Sequence, residues 1–217
     1  MISMSKKGLF IDFEGGEKSG KTIQAKKTAE YLRSLGFKVV QTREPGGGDL
    51  EIRKKLLEVK GKLTPEEELD LFCEDRRLHI RNVIKPALAR GEIVLCDRFE
   101  PSTIAYQGYG RGIDLNLIRL KSGEARQGIW PDAILFFDGD PATLLKREVL
   151  TTRFDQESLE FHNRVRQGFL EIAKPNFFDR HKYIINAELS IEEVWANIKS
   201  CIDNILKEKL GMEVWGG

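Results

Sequence analysis

The sequence predicts an α/β fold, a doubly wound parallel five-stranded sheet flanked by helices. Five short apolar runs recur along 217 residues. Each is nearly continuous rather than alternating, as in strands covered on both faces. Segments of helical periodicity separate them, and such alternation feeds parallel strands through crossover helices. A glycine-rich stretch also stands between the first apolar run and the first helical segment, the place where an α/β fold can hold phosphate.

The runs "GLFIDF", "FKVVQT", "EIVLCD", "AILFFD" and "KYIINA" supply the five strands in order. After the first, "KTIQAKKTAEYLRSL" is helical and stops at Gly36, a residue suited to a C-cap. "TPEEELDLFCEDRRLHIRNVIKPALARG" opens with Thr64 as N-cap, Pro65 at the first helical position and Glu67 completing a capping box. Pro86 is expected to bend or break that helix. Near the end, "SIEEVWANIKSCIDNILKEKL" begins with a second capping box, Ser190 to Glu193. It sets Ile191, Val194, Ile198, Ile202 and Ile205 on one face. Residues 147–158, "REVLTTRFDQES", are polar, irregular and arginine-containing, and are expected to form a short mobile insert. With no linker-like segment or repeat, residues 1–217 are expected to form a single domain, disordered only at 1–6 and 211–217.

Hydrophobic residues make up 41% and charged residues 32%, which suits a globular chain rather than a disordered one. A net charge of +1 gives no electrostatic reason to expect a nucleic-acid polymer or a membrane surface as partner. Cys73, Cys96 and Cys201 are odd in number and form no CxxC pair, so a disulfide framework or zinc knuckle is not expected. No window reaches the length of a bilayer span, and a reducing cytoplasm is the expected location. His79, His162 and His181 show no metal-ligand spacing.

"GGEKSGKT" fits G-x-x-x-x-G-K-[ST], with Gly15, Gly20, Lys21 and Thr22 as fixed members and Gly16, Glu17, Lys18 and Ser19 between them. Glycines let the backbone curl so that successive N–H groups face phosphate oxygens, and the following helix adds the positive end of its dipole. Lys21 would reach the β- and γ-phosphates of ATP, and the Thr22 hydroxyl would bind Mg2+. Asp97 ends an apolar strand, where a carboxylate can serve that metal directly or through water; Asp there is also a common turn residue.

Several blocks together resemble the thymidylate kinase family of nucleoside-monophosphate kinases, built on the P-loop kinase fold with a short lid. They are "FEGGEKSGKTIQ", "REPGG", "LFCEDRRLH", "DRFEPSTIAYQG", "PDAILFFD" and "RFDQESLEFHNRVRQGF", in the family's order across most of the chain. The resemblance implies ATP as phosphoryl donor, dTMP as acceptor and dTDP as product, with Mg2+, a lid over residues 147–158 and a homodimer. It assigns Phe72 to stack on thymine and Arg76 to bond a base carbonyl, and an i, i+4 spacing sets both on one helix face. Arg43 and Arg98 would hold the acceptor's 5′-phosphate. Pro45 would shape the pocket near the base, Thr103 would face the N3 edge, and Tyr106 would crowd a ribose 2′-hydroxyl. Gln107 would line the same pocket or remain a helix-surface residue.

The family often carries Asp where Glu17 stands, in contact with the acceptor 3′-hydroxyl. Lys18 resembles the basic loop residue of one subgroup. Arg147 and Arg153 resemble the lid arginines of another. Lys18, Lys21, Arg98 and Arg153 would then share the charge of two polyanions during transfer, with no general base required. Alternatively, Glu17 and Lys18 pair with each other on the loop surface. "REPGG" usually continues with Thr, whereas Gly48-Asp49 follows here, and Phe137-Asp138-Gly139 stands where aliphatics are common. Three alternatives stay open: a kinase for another monophosphate such as UMP or AMP, a kinase acting on a neutral hydroxyl, and a nucleotide-binding switch, although NKxD is absent.

Overall fold

The computed structural model describes residues 8–58, 63–147 and 152–212. Five parallel strands, β1 (Leu9–Gly15), β2 (Val39–Arg43), β3 (Ile93–Asp97), β4 (Ala133–Asp138) and β5 (His181–Asn186), form one sheet in the order β2-β3-β1-β4-β5. β1 sits at the centre, with Ile11 opposite both Leu95 of β3 and Ala133 of β4. The strands fall on the five predicted apolar runs, shifted by two residues or fewer at each end.

Alternation along β1 separates two cores. On one face Leu9, Ile11 and Phe13 meet Ala25, Ala29 and Leu32 of α1 (Lys21–Ser34) and Val194, Ile198, Ile202 and Ile205 of α9 (Ile191–Leu210). Ile191 departs from its predicted face. It is 52% exposed and lines the main cavity instead. On the other face Ile134 and Phe136 pack with Phe161, Val165 and Phe169 of α8 (Leu159–Ala173). Beside them, Phe10, Val94 and Cys96 pack with Ile80, Ile84 and Phe99.

The remaining α-helices are α2 (Leu50–Glu58), α3 (Pro65–His79), α4 (Lys85–Ala89), α5 (Glu100–Thr103), α6 (Leu115–Arg126) and α7 (Pro141–Leu144), and a π-helical segment, Ile104–Gly110, continues α5. Both predicted capping boxes form. Thr64 N donates to Glu67 at 2.8 Å and Glu67 N returns to Thr64 Oγ1 at 3.2 Å; Ser190 and Glu193 do the same at 3.0 and 3.3 Å. Gly36 follows α1 with φ 90°, as a left-handed cap requires. The helical run continues through Pro86 but not as one regular α-helix: a widened π turn over Ile80–Ile84 stands just before it, with Lys85 N bonding Ile80 O.

The expected disorder at the C-terminus does not begin at 211. Gly211 caps α9, its N–H bonding Lys207 O at 3.0 Å, and Met212 packs on the core. The rest of that expectation, and that for residues 1–6, lies outside the described residues, as do 148–151 of the predicted lid. Cys73 and Cys96 are buried free thiols, and Cys201 is a half-buried one. No helix among the described residues is long and apolar enough to cross a membrane.

Candidate active site

The C-terminal ends of β1, β2 and β3 open on a cavity of about 610 Å3. In an open parallel sheet this edge is where ligands bind. The cavity is lined by Glu17, Lys18, Ser19, Gly20, Lys21 and Thr22 from the loop after β1, and by Arg43 and Pro45 after β2. Phe72 and Arg76 of α3, Asp97 and Arg98 at the end of β3, and Thr103, Tyr106 and Gln107 complete it. Of the residues singled out in the sequence, Gly15, Gly16 and Arg153 are not on this lining.

Gly15 cannot be replaced without disturbance. Its φ is 144°, and a Cβ there would stand 2.4 Å from Phe137 O on β4. Gly20, at the N-cap of α1 with φ 85°, brings no side-chain acceptor to the first-turn N–H groups. Those donors and the helix dipole face the cavity as an anion cradle. Lys21 Nζ curls over its own loop, donating to Gly15 O at 3.1 Å, Gly16 O at 2.8 Å and Ser19 Oγ at 3.1 Å. Burial, then the charge of Arg98, pulls its pKa down to about 8. Such a lysine gains from a phosphate that replaces carbonyl partners with full negative charge.

Thr22 Oγ1 donates to Asp97 Oδ2 at 2.6 Å. Two hard oxygen donors side by side at the cavity fit Mg2+, which keeps most of its shell for water and phosphate and needs only one or two protein ligands. No group of three or more His, Cys, Asp or Glu that could hold a metal ion exists among the described residues.

Arg98 has φ 76°, an unusual backbone state for a side-chain-bearing residue. The strain turns its guanidinium back across the loop. Nη1 donates to Gly15 O at 2.9 Å and to Ser102 Oγ at 3.2 Å, and Nη2 to Glu17 Oε1 at 2.9 Å. Burial alone would lower its pKa, but Glu17, Tyr106 and Asp97 hold it above the ordinary value. Burial likewise opposes the charge on Glu17, yet Arg98 and Lys21 carry its pKa below the usual carboxylate range. The loop-surface pairing of Glu17 with Lys18 is not what forms. Lys18, with φ 57°, sits 3.5 Å from Asp155 of the insert.

Arg76 is 1% exposed and nearly saturated. Nε donates to Glu44 at 2.9 Å and Nη1 to Ser122 Oγ at 2.8 Å. Nη2 reaches Glu44 at 2.7 Å and Thr103 Oγ1 at 3.0 Å. Three of its five N–H groups make hydrogen bonds, which leaves the second N–H on each terminal nitrogen for the Glu44 ion pair or a ligand. Glu44 also receives His79 Nδ1 at 3.0 Å. Phe72 and Tyr106 face Phe154 of the insert at centroid distances of 6.1 and 5.7 Å, which gives the slot aromatic walls. Gln107 is buried rather than on a helix surface, and its amide donates to Glu68 at 2.7 Å. Arg153 also turns to Glu68, with Nε on Leu56 O at 2.7 Å, so it braces α2 and α3 here.

Sequence reasoning missed Arg53. It lines the cavity from α2, donates to Pro45 O at 2.6 Å, and has its pKa lowered by burial and then by Arg43. Three guanidinium groups, Arg43, Arg53 and Arg98, thus share one wall. Asp75 was also missed: its carboxylate clasps the loop after β2, accepting from Gly46 N at 2.8 Å, Gly48 N at 3.2 Å and Asp49 N at 2.8 Å. Gly48 is needed for that clasp, since a Cβ would lie 2.0 Å from Asp75 O. Arg53 lies outside the quoted blocks and Asp75 inside "LFCEDRRLH", but the partners that give each its role are tertiary.

The family model described as Thymidylate kinase matches residues 13–198. The thymidylate kinase of Gloeobacter violaceus is 42% identical over 207 residues, covering 92% of this chain and 97% of its own. That of Dehalococcoides mccartyi (strain 195) is 43% identical over 206 residues, covering 92% and 98%. Among solved structures, the thymidylate kinase of Ehrlichia chaffeensis superposes with a TM-score of 0.75 at 36% identity, covering 90% of this chain and 99% of that one. With a phosphate cradle, an arginine wall and an aromatic slot meeting in one cavity, and with these likenesses spanning nearly the whole chain, the protein belongs to the thymidylate kinase family.

Proposed function

We propose that this chain is a dTMP kinase, moving the γ-phosphoryl of ATP to dTMP and releasing dTDP and ADP. The observation that carries this is the continuity of the cavity. The phosphate loop, Phe72 and Arg76, and the guanidinium groups of Arg43, Arg53 and Arg98 all line this one cavity. A nucleotide monophosphate fits with its base in the slot and its phosphate against the arginines, head-on to the loop.

The reaction asks for alignment and charge neutralisation rather than a strong base, because a phosphate oxygen is already an anionic nucleophile. Gly15–Thr22 would orient the donor triphosphate, with Lys21 exchanging its carbonyl contacts for phosphate oxygens. Arg98, held by Glu17, would grip the acceptor phosphate beside Arg43, and Lys18 would face the charge passing between the two. Thr103 and Arg76 would hold the base edge, Pro45 would shape the slot, and Tyr106 and Gln107 would close it. Mg2+, held by Thr22 and Asp97 directly or through water, would supply positive charge to the donor phosphates.

The chain would work as one kinase domain with a lid over 147–158, whose Asp155 and Phe154 already touch the loop and the slot. The homodimer implied by the family is proposed too. Leu120 on α6, 61% exposed, is an apolar contact available to it, and free thiols suit a cytoplasmic setting. The test is an ADP-release assay with ATP, Mg2+ and dTMP, dUMP, UMP or AMP in turn. Fastest turnover with dTMP supports the reading. Turnover with UMP or AMP alone, or hydrolysis without any acceptor, replaces it with another monophosphate kinase or a nucleotide switch.

A further inference from the structure

β1 points Phe10, Asp12 and Glu14 to the same side of the sheet, beneath the arginine wall. Phe10 packs edge-on to Phe99 at 5.1 Å. Asp12 is wholly buried, and neither of its carboxyl oxygens receives a hydrogen bond from a donor among the described residues. The polar group within reach is the carboxyl of Glu14. Two acceptors can join only through a proton. Glu14 is the better place for the charge, since Oε1 accepts from Phe99 N at 2.8 Å and Ser102 N at 3.1 Å, and Oε2 from Ser102 Oγ at 2.5 Å.

The bond from Ser102 to Glu14 decides how that hydroxyl meets Arg98. Its single hydrogen goes to Glu14, so towards Arg98 Nη1, 3.2 Å away, it can only accept. We propose that Asp12 carries a proton at working pH and donates it to Glu14, which makes Asp12 a positioning residue for Arg98 through Glu14 and Ser102. This rests on the reading of Arg98 as a holder of the acceptor phosphate.

The positive groups that face the pair, Arg76 towards Asp12 and Arg98 and Lys21 towards Glu14, are each engaged by other partners. Glu44 at the end of β2 faces the pair and already holds Arg76 of α3 and His79. Cys96 of β3 is a thiol whose pKa is pushed up by burial and by these acids. Arg98 gives its other arm to Glu17. β4 offers Ile134 and Phe136 opposite the two acids, and Phe99 and Ser102, at the N-cap and in the first turn of α5, donate to Glu14. Burial, then Glu14, then Glu44 push the Asp12 pKa well above its ordinary value, and burial raises Glu14 as well.

Three measurements on the full chain test this, with Asp12→Asn, whose amide donates the same bond without a titrating proton, and Asp12→Ala. Infrared difference spectra at neutral pH should give wild type a protonated-carboxyl band that shifts in D2O and is absent from Asp12→Asn. Melting temperatures should diverge as pH rises. The folded wild type keeps a proton that the unfolded chain releases above about pH 4, so it loses stability with rising pH and Asp12→Asn does not. KM for dTMP should stay near wild type in Asp12→Asn and rise about tenfold in Asp12→Ala, where Glu14 loses its donor. No carboxyl band, or a pH-independent melting difference, would mean an ionised Asp12 and overturn the proposal. An unchanged KM in Asp12→Ala would remove the positioning role. A band in a protein that turned over no dTMP would count against the kinase reading, leaving the shared proton but no Arg98 function to position.

Discussion

Glu17 Oε1 accepts from two groups at once, the Arg98 guanidinium at 2.9 Å and the Tyr106 hydroxyl at 2.7 Å. One carboxylate thus ties the phosphate loop to the arginine and to the wall of the base slot. Glu17→Gln keeps the length and removes the charge. Hydrogen bonds to charged groups are worth about 1.5–3 kcal/mol, so kcat/KM for dTMP should fall roughly ten- to a hundredfold. ATP affinity should move much less, which paired titrations of the two nucleotides would check.

Lys18 and Arg153 start from different places, one beside Asp155 and the other braced on Glu68 and Leu56. Lys18→Ala should lower kcat about a hundredfold, the scale for losing a group aimed at developing charge, with a smaller change in the Kd of dTMP. Arg153→Ala should do the same only when lid closure brings it to the phosphates. If bracing is its task, stability falls and kcat holds. Single-turnover rates beside thermal melts separate the two roles.

Arg76 and Glu44 form a buried pair, 1% and 3% exposed. Arg76→Met leaves Glu44 uncompensated apart from His79, and breaking such a pair costs about 3–5 kcal/mol. Urea melts should show that loss. The double variant with Glu44→Gln should recover part of it, because the orphaned charge is then gone.

The pKa of Lys21, about 8 in the free protein, gives a pH test. Its charged form is the one that holds a triphosphate, and the bound phosphate raises the pKa. Above pH 8 the Kd for ATP should therefore grow, approaching tenfold per pH unit, one proton being taken up on binding. Calorimetry from pH 7 to 9.5 in buffers of different ionisation enthalpy would read both. For folding the sign is opposite: the unfolded lysine, near 10.5, binds its proton more tightly, so the cost of burying Lys21 shrinks as pH rises from about 8 towards 10.5.

Legibility in the sequence followed the range of the physics. The five strands, the loop Gly15–Thr22 and the caps at Thr64 and Ser190 depend on neighbours in sequence, so their patterns could be read directly. Thr103, Tyr106 and Phe72 were found through block resemblance rather than chemistry. Arg53, Glu44, Asp75 and Glu68 escaped. Each acts through a partner at least eight residues away, Arg53 through Pro45, Glu44 through Arg76, Asp75 through Gly46 and Glu68 through Arg153, and no local period encodes those meetings. The π turn just upstream of Pro86 was not read either, because the proline signals that a regular helix is disturbed there and not which distortion forms. Ile191 shares the spacing of the buried Val194, Ile198, Ile202 and Ile205 yet is exposed at the cavity, which the period alone does not encode.

The Asp75 clasp on Gly46, Gly48 and Asp49 fastens the loop carrying Pro45 and flanking Arg43 to the very helix that presents Phe72 and Arg76. With the ring on Phe72 and the phosphate on Arg43, as proposed, an acceptor would be gauged by a single caliper. An analogue with one extra methylene between sugar and phosphorus cannot satisfy one jaw by nudging the other aside, so its misfit is felt at both ends of the molecule.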